Sequence, residues 1–231
     1  MRSCPGTGIW SRRTTDMAND RTGLIAREGF RFIIPLGLIT AAFALLEMPK
    51  TASVAFLATL FNVWFFRNPE RNSPVDEKAV VSPADGKVLK IEESEQADGI
   101  TGRFRKISIF MSVLNVHVNR IPVSGRVEAV RYKKGEFRFA HVDKASSLNE
   151  RNLIRLRTDG GKEIIFVQIA GILARRIISD LKEGMPVRKG ERFGMICYGS
   201  RLDVYLPPET EIAVSKGESV IAGETILGYL R

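Results

Sequence analysis

The sequence predicts a mainly β (α+β) protein, with a β-sandwich or barrel-like domain that follows an N-terminal helical membrane hairpin. Two observations carry this prediction. Two apolar runs lie near the N terminus, at residues 32–46 and 51–66. From Ala79 onward, short β-branched runs alternate with turns that contain Gly or Pro, a pattern typical of strands joined by hairpins. A chain of 231 residues has room for one large domain and such an appendage.

Residues 1–31 form a polar, basic tail. Its segment SRRTTDM resembles a twin-arginine export signal, but the apolar stretch begins only at Phe32, so this interpretation is rejected. Met17 opens a second plausible beginning, and either Met1 or Met17 is the native start. A start at Met17 is a hypothesis that an intact native mass including Met1 would contradict.

The apolar runs predict two helices joined by a tight turn at residues 47–50. Each run is slightly shorter than the ~20 residues of a spanning helix, and neither has the polar stripe of a helix on a globular core. The outer flanks carry Arg27, Arg31, Arg67 and Arg71. By the positive-inside rule, both ends are expected on the cytoplasmic side of the cell membrane. The alternative is a helical pair buried in a soluble core.

The β-rich domain is expected to span residues 67–231. The segment RTDGGKE, at 157–163, predicts a hairpin because its Asp-Gly-Gly turn supplies positions that accept positive φ. The segment ILARRIISDL, at 172–181, has helical spacing and is predicted to be the one clear helix of this part.

Short internal repeats run through the same domain. VRKGERFG resembles VSKGESVIAG, and both match the turn pattern of lipoyl-like β-sandwiches, so related, lipoyl-like halves are expected. The tripeptide Asp143-Lys144-Ala145 is also that of lipoyl-lysine hairpins, but a polar loop follows it, which argues against lipoylation. A membrane-anchored adaptor or carrier without enzymatic activity is therefore the alternative function.

The charge balance indicates an anionic partner. The net charge is +9 and the pI is about 9.8, which favours a nucleic acid, an acidic membrane surface or a phosphate-bearing substrate. Nucleic acid is disfavoured, because the chain has no recognition motif and carries the apolar hairpin. Two cysteines and two histidines are too few for a disulfide framework or a zinc site, so no metal is expected.

Three residues are candidates for catalysis: Asp85 in SPADGKV, His117 in NVHVNR and Ser200 in YGSR. Each alone has an ordinary structural explanation, as a turn aspartate, a hydrogen-bonded histidine and a turn serine. Together they are the parts of a nucleophilic triad, whose chain order differs between unrelated enzymes. The sequence alone does not place them in contact.

Six motifs occur in one order along the chain: FFRNPER, SPADGKV, FMSVLNVHVNRIPVSGRV, DKASSLNERN, QIAGILARRI and YGSRLDVYLP. In these motifs the chain resembles the phosphatidylserine decarboxylase family, in its shorter bacterial and archaeal form. The resemblance runs from about Arg31 to the C terminus. It implies decarboxylation of phosphatidylserine to phosphatidylethanolamine at the membrane, with phosphatidylserine and anionic membrane lipids as partners.

The resemblance also implies self-processing of an inactive proenzyme. The cut would fall between Gly199 and Ser200 and give a β chain, 1–199, and an α chain, 200–231, which stay associated; a homo-oligomer is a further possible assembly. Ser200 would become a pyruvoyl group, the covalent cofactor that forms a Schiff base with the substrate amine. The family's catalytic residues map onto Asp85, His117 and Ser200.

The implied division of labour has one departure from the family pattern. Ser200 Oγ would attack the Gly199 carbonyl, with His117 as general base and Asp85 orienting its ring. Longer bacterial members carry a second histidine three residues after the first, where this chain has Arg120. His117 is therefore expected to serve both self-cleavage and the protonation that follows CO₂ loss. Arg120 is a candidate for binding the substrate phosphate or carboxylate.

Overall fold

The computed structural model describes residues 23–135, 149–171, 176–197 and 199–231. The chain divides into two compact units, Met1–Glu70 and Arg71–Arg231. Two of the sequence predictions, the choice between Met1 and Met17 and the tripeptide Asp143-Lys144-Ala145, lie outside the described residues.

The first unit contains two helices, α1 (Arg27–Leu45) and α2 (Pro49–Phe65), which confirms the predicted helical pair. Pro49 occupies the first turn of α2, where its missing N–H costs nothing. The helix α1 begins at Arg27, before the apolar run that starts at Phe32. The run alone missed this first turn, because the turn contains charged residues such as Glu28. That turn is tightly packed, since a Cβ on Gly29 would lie 2.6 Å from the Phe66 side chain.

By length and composition, α1 could cross a membrane. Its apolar side chains and those of α2 are largely exposed, with Leu38 at 67% and Leu57 at 64% exposure. The hydroxyl oxygens of Thr40 and Thr59 lie 3.3 Å apart, on facing sides of the two helices. A helical pair in a soluble core would bury its large apolar side chains, so this exposure is consistent with association of the pair with a membrane.

The second unit is built of strands, which confirms the mainly β prediction. Its strands, β1 to β14, are Ala79–Val81, Gly86–Ala97, Ile100–Met111, Val118–Arg120, Gly125–Lys133, Arg151–Thr158, Glu163–Ala170, Ile177–Ser179, Pro186–Val187, Arg192–Ile196, Ser200–Leu206, Glu211–Ile212, Ser219–Val220 and Ile226–Tyr229. Eight of them form a curled antiparallel sheet in the order β13-β2-β3-β11-β7-β6-β5-β9. Two three-stranded sheets, β1-β14-β12 and β4-β10-β8, complete the unit.

Strand β11 lies in the middle of the large sheet. It pairs with β3 on one side and β7 on the other, so that Ser200 stands opposite Met111 and Ala170. All seven residues of β11 are buried, as expected of a central strand between two covered faces. The segment that follows Gly199 is therefore held by backbone hydrogen bonds to strands on both sides.

The predicted hairpin at 157–163 is confirmed. It joins β6 to β7, and Gly161 adopts φ 78°, the left-handed conformation that glycine accepts without steric cost. Two backbone bonds of 2.9 Å close the turn, from Thr158 N–H to the Lys162 carbonyl and from Gly161 N–H to the Thr158 carbonyl.

The helix predicted at 172–181 is wrong where the structure describes it. Ile177–Ser179 form β8, which pairs antiparallel with Gly194–Ile196 of β10. The β-branched pair Ile177-Ile178 suits an extended chain, and pairing with β10 satisfies its backbone groups, which outweighs the helical spacing. Residues 172–175 lie outside the described part of the chain.

The two repeated Lys-Gly-Glu segments form matching turns. Gly190 and Gly217 adopt φ 81° and 90°. In each turn the glutamate, Glu191 or Glu218, accepts a hydrogen bond from the backbone amide three residues before it, at 3.0 and 2.9 Å. The similarity that the repeats predict is therefore present in the backbone of both turns.

Candidate active site

The Gly199-Ser200 pair lies where β11 begins. Gly199 adopts φ 68°, a left-handed conformation that favours glycine. Ser200 is fully buried, and its Oγ donates a hydrogen bond to Met111 Sδ at 3.3 Å. Since a Cβ on Gly199 would meet only Val113 Cγ2, at 3.9 Å, the backbone conformation rather than space explains the glycine. The pair therefore combines a left-handed backbone conformation at Gly199 with a buried hydroxyl at Ser200.

His117 contacts this pair directly. The side chain is fully buried just before β4, and its Nε2 accepts the Gly199 N–H at 3.2 Å. Its Nδ1 lies 3.0 Å from the Asn115 carbonyl oxygen. A backbone N–H only donates and a carbonyl only accepts, so Nε2 carries the lone pair and Nδ1 the proton. The imidazole is therefore neutral, with the lone pair of Nε2 directed at the Gly199 N–H.

A tight turn holds the carbonyl that orients this ring. Asn115 Oδ1 accepts hydrogen bonds from the backbone N–H and the hydroxyl of Ser112, both at 2.8 Å. The Asn115 N–H donates to the Ser112 carbonyl at 3.0 Å. Asn115 is not among the residues predicted from the sequence. A Ser-x-x-Asn spacing between strands is nevertheless typical of turns that a side chain closes with hydrogen bonds to the backbone. The turn fixes the histidine tautomer through the backbone.

Asp85 lies at the entrance to β2. Its Oδ2 accepts a hydrogen bond from an Arg71 guanidinium nitrogen at 2.9 Å, and its Oδ1 accepts one from the Ala222 N–H at 2.7 Å. The two side chains of this ion pair are 14% and 13% exposed. In the described contacts, the Asn115 carbonyl orients the His117 ring. Asp85 instead joins the segment of Arg71 to that of Ala222 through hydrogen bonds. The orienting role of Asp85 stays a prediction.

The glycine after Asp85 has its own structural reason. A Cβ on Gly86 would lie 2.2 Å from the Phe110 carbonyl oxygen, a distance that no side chain tolerates. Strands β2 and β3 therefore approach closely at the residue that follows Asp85. The Asp-Gly order in SPADGKV reflects sheet packing here rather than a simple turn.

Arg120, at the end of β4, belongs to a cluster of charges. It pairs in register with Arg192 of β10, and its guanidinium donates to a backbone carbonyl at 2.8 Å. Burial lowers the pKa of Arg120, and the charges of Arg71 and Arg192 lower it further, whereas Asp85 and Glu224 act in the opposite direction. Three guanidinium groups thus face two carboxylates. The planar guanidinium forks of this cluster suit an anionic group of a ligand.

From the sequence alone, Arg71 is assigned only to the basic flanks of the apolar runs. In the structure it binds Asp85 at 2.9 Å and lies 3.8 Å from Glu224. The sequence around Arg71 could not reveal these ion pairs, because Asp85 and Glu224 come from distant parts of the chain.

Comparison with known proteins decides the family. The family model for phosphatidylserine decarboxylase matches residues 58–228. The chain belongs to the phosphatidylserine decarboxylase family. The matched region includes Asp85, His117, Arg120 and the Gly199-Ser200 pair. Membership of this decarboxylase family indicates an enzyme, and the predicted resemblance is confirmed.

Curated relatives of this decarboxylase family are similar over nearly their whole length. The relatives from Syntrophus aciditrophicus (strain SB), Geotalea uraniireducens (strain Rf4) and Rickettsia akari (strain Hartford) are each named phosphatidylserine decarboxylase proenzyme. The first is 54% identical over 88% of this chain and 96% of its own. The second is 48% identical over 89% and 96%, and the third 46% identical over 90% and 91%.

Proposed function

We propose that this chain decarboxylates phosphatidylserine to phosphatidylethanolamine, with a pyruvoyl group made from Ser200 by autocatalytic cleavage of the Gly199–Ser200 bond. One observation carries the proposal. The unprotonated Nε2 of His117 lies 3.2 Å from the Gly199 nitrogen, one residue from the buried Ser200 hydroxyl. In a phosphatidylserine decarboxylase, a basic nitrogen in contact with the glycine of the Gly-Ser pair supports self-processing.

The proposed self-cleavage uses Ser200, His117 and one water molecule. Ser200 Oγ attacks the Gly199 carbonyl carbon, its proton passes to His117, and the C–N bond breaks as that proton reaches the Ser200 nitrogen. The amide is now an ester. His117, neutral again once the nitrogen is protonated, takes the Ser200 Cα proton; the Cα–H electrons form a Cα=Cβ bond, the Cβ–Oγ bond breaks, and Gly199 leaves as a carboxylate. Water hydrolyses the remaining dehydroalanine to the pyruvoyl group and ammonia.

The residues around Ser200 fit the cofactor that this step produces. The pyruvoyl group supplies a ketone that takes the substrate amine and accepts the electrons released with CO₂. Its precursor is fully buried at the head of a central strand, which excludes bulk water from the carbonyl. Once protonated at Nε2, His117 would deliver a proton to the carbon that has lost CO₂.

The same fold would keep the two cleaved chains together. β11 begins at Ser200 and stays hydrogen-bonded to β3 and β7 on both sides. Arg201 and Asp203, 2% and 0% exposed, form a two-pronged ion pair with N–O distances of 2.6 and 3.1 Å. Arg201 also donates to Ser108 Oγ at 2.9 Å. The Arg201–Asp203 pair lies within the α chain and fixes the Arg201 side chain, whereas the bond to Ser108 and the pairing with β3 and β7 would hold the α chain on the β chain after the cut.

Mass analysis of the purified protein tests this proposal directly. We expect two chains, residues 1–199 and 200–231, the smaller with a blocked N terminus. Borohydride should add two hydrogen atoms to the smaller chain and abolish decarboxylation, because it reduces a ketone to an alcohol. A single intact chain in active membranes would defeat the proposal.

We propose Arg120 as a ligand for the substrate phosphate or carboxylate, because its planar guanidinium suits such anions and the positive charges of Arg71 and Arg192 lie near it. Arg120→Lys keeps the charge and loses the planar fork. We expect KM for phosphatidylserine to rise about tenfold, which corresponds to the loss of roughly one charge-assisted hydrogen bond. Arg231→Ala is the matched control, because the Arg231–Glu211 pair is 70% and 64% exposed. An unchanged KM in Arg120→Lys would assign the residue to structure alone.

We also propose that the helical pair anchors the enzyme in the cell membrane, with the catalytic unit on the cytoplasmic side. The exposed apolar faces of α1 and α2 and the flanking arginines support this placement. Anionic lipids would add about 1 kcal/mol for each nearby Lys or Arg. Protease added to intact spheroplasts should spare the catalytic unit and digest it only after lysis. Digestion in intact spheroplasts would place it on the other side.

A further inference from the structure

A chain of buried polar side chains ends at the Ser200 hydroxyl. Asn152 Nδ2 donates to Gln168 Oε1 at 3.0 Å, and Gln168 Nε2 donates to Asn119 Oδ1 at 2.9 Å. Asn119 Nδ2 in turn contacts Met111 Sδ at 3.8 Å. The same sulfur accepts the Ser200 hydroxyl at 3.3 Å. We refer to Asn152, Gln168, Asn119 and Met111 as the amide relay.

The direction of the relay is fixed by its acceptors. Gln168 Nε2 also lies 3.4 Å from the Ile178 carbonyl oxygen, which only accepts. That end of Gln168 is therefore the NH₂ group, and its oxygen faces Asn152. Asn119 must then turn its oxygen to Gln168 and its NH₂ group to Met111. Every amide in the relay donates towards the sulfur that holds Ser200.

The relay is almost completely shielded from water. Asn152 is 2% exposed, and Gln168, Asn119, Met111 and Ser200 are each 0% exposed. Buried amides are costly unless they are paired, so a chain of them that holds one orientation is a specific arrangement. Its members come from β6, β7, β4 and β3, and it ends on β11. The relay therefore links the small sheet that follows His117 to the strand that carries Ser200.

The sulfur is a suitable terminal group for this purpose. A thioether accepts only weakly, so it can hold the Ser200 hydroxyl in one rotamer and still release the proton to a stronger base. His117 Nε2 is such a base, and it contacts the adjacent residue. We propose that Met111, Asn119 and Gln168 are positioning residues for self-cleavage, which hold the Ser200 hydroxyl ready for attack on the Gly199 carbonyl. This inference rests on the proposed function.

The test measures the rate at which freshly synthesised full-length chain converts into two chains. Met111→Leu keeps the volume and removes the acceptor, so the buried hydroxyl loses its partner and its fixed rotamer. Gln168→Leu releases the Asn119 amide. We expect each variant to be cleaved at least about tenfold more slowly at every pH, with the wild-type shape of the pH profile, because His117 is unchanged.

Val167→Ala is the matched control. Val167 neighbours Gln168 on β7, but its side chain packs in a separate apolar cluster with Leu153, Ile165 and Tyr205. It should lower the thermal stability and leave the cleavage rate near that of the wild type. A purely structural effect would slow Val167→Ala as much as the relay variants.

Each other outcome is also decisive. Relay variants that are cleaved at the wild-type rate, beside a cleaved wild type, would overturn this inference and leave the proposed function standing. Slow cleavage of Gln168→Leu with normal cleavage of Met111→Leu would overturn it too, since the relay reaches Ser200 through the sulfur. An active wild type that remains one chain would overturn the proposed function itself.

Discussion

Ser200→Ala is expected to yield a single uncleaved chain of 231 residues with no decarboxylase activity. One side chain supplies both the nucleophile of the cleavage and the atoms of the cofactor, so the loss is complete rather than a fractional decrease. The fold should survive, because the described hydrogen bond of Ser200 Oγ goes to a weak acceptor, Met111 Sδ. Strand β11 keeps its backbone bonds to β3 and β7.

Denaturing gels and intact mass give the first readout, and CO₂ release from phosphatidylserine gives the second. Cys197→Ala is a suitable control, because it trims another buried side chain just before the Gly-Ser pair. That variant should be cleaved and active. A Ser200→Ala chain that is still cut between 199 and 200, or that still releases CO₂, would remove Ser200 from both roles.

The general architecture was accessible from the sequence because it depends on local patterns. Alternating β-branched residues and glycine turns indicate strands and hairpins, and the matching turns at Gly190 and Gly217 follow from a shared Lys-Gly-Glu segment. The prediction failed at Ile177–Ser179, where the extended conformation is stabilised by pairing with β10. A three-residue strand carries too little local signal to reveal a partner that lies further along the chain.

The candidate residues of the site could be named from the sequence, but the contacts between them could not be predicted. The triad prediction named Asp85, His117 and Ser200 by residue type and by family resemblance, and the described contacts join His117 to Gly199. The contact between His117 and Gly199 joins positions 82 apart in the chain, and that between Asp85 and the Ala222 amide joins positions 137 apart. Such contacts depend on sheet order and register, which residue spacing does not encode. The amide relay could not be predicted from the sequence for the same reason, because Gln168 and Asn119 look like ordinary polar residues within strands until the sheets bring them together.

His117→Ala is expected to slow self-cleavage by about 10²- to 10⁴-fold, the contribution typical of a positioned general base. In the structure the ring is neutral, oriented by the Asn115 carbonyl, and its Nε2 touches the Gly199 nitrogen. The alanine leaves a buried space shaped for an imidazole. Added imidazole should therefore enter it and restore part of the cleavage rate, as measured by the appearance of the 200–231 chain.

This rescue also separates the two roles assigned to His117. His117→Ala is first cleaved in the presence of imidazole, the imidazole is dialysed away, and CO₂ release is measured on the cleaved enzyme. If the histidine protonates the carbon left after CO₂ loss, turnover stays low until imidazole is added again. Full turnover without imidazole would restrict His117 to self-cleavage and assign protonation to another group. Ser200→Ala with imidazole is the control, and it should remain intact. Cleavage of His117→Ala at the wild-type rate without imidazole would show that the contact with Gly199 is structural.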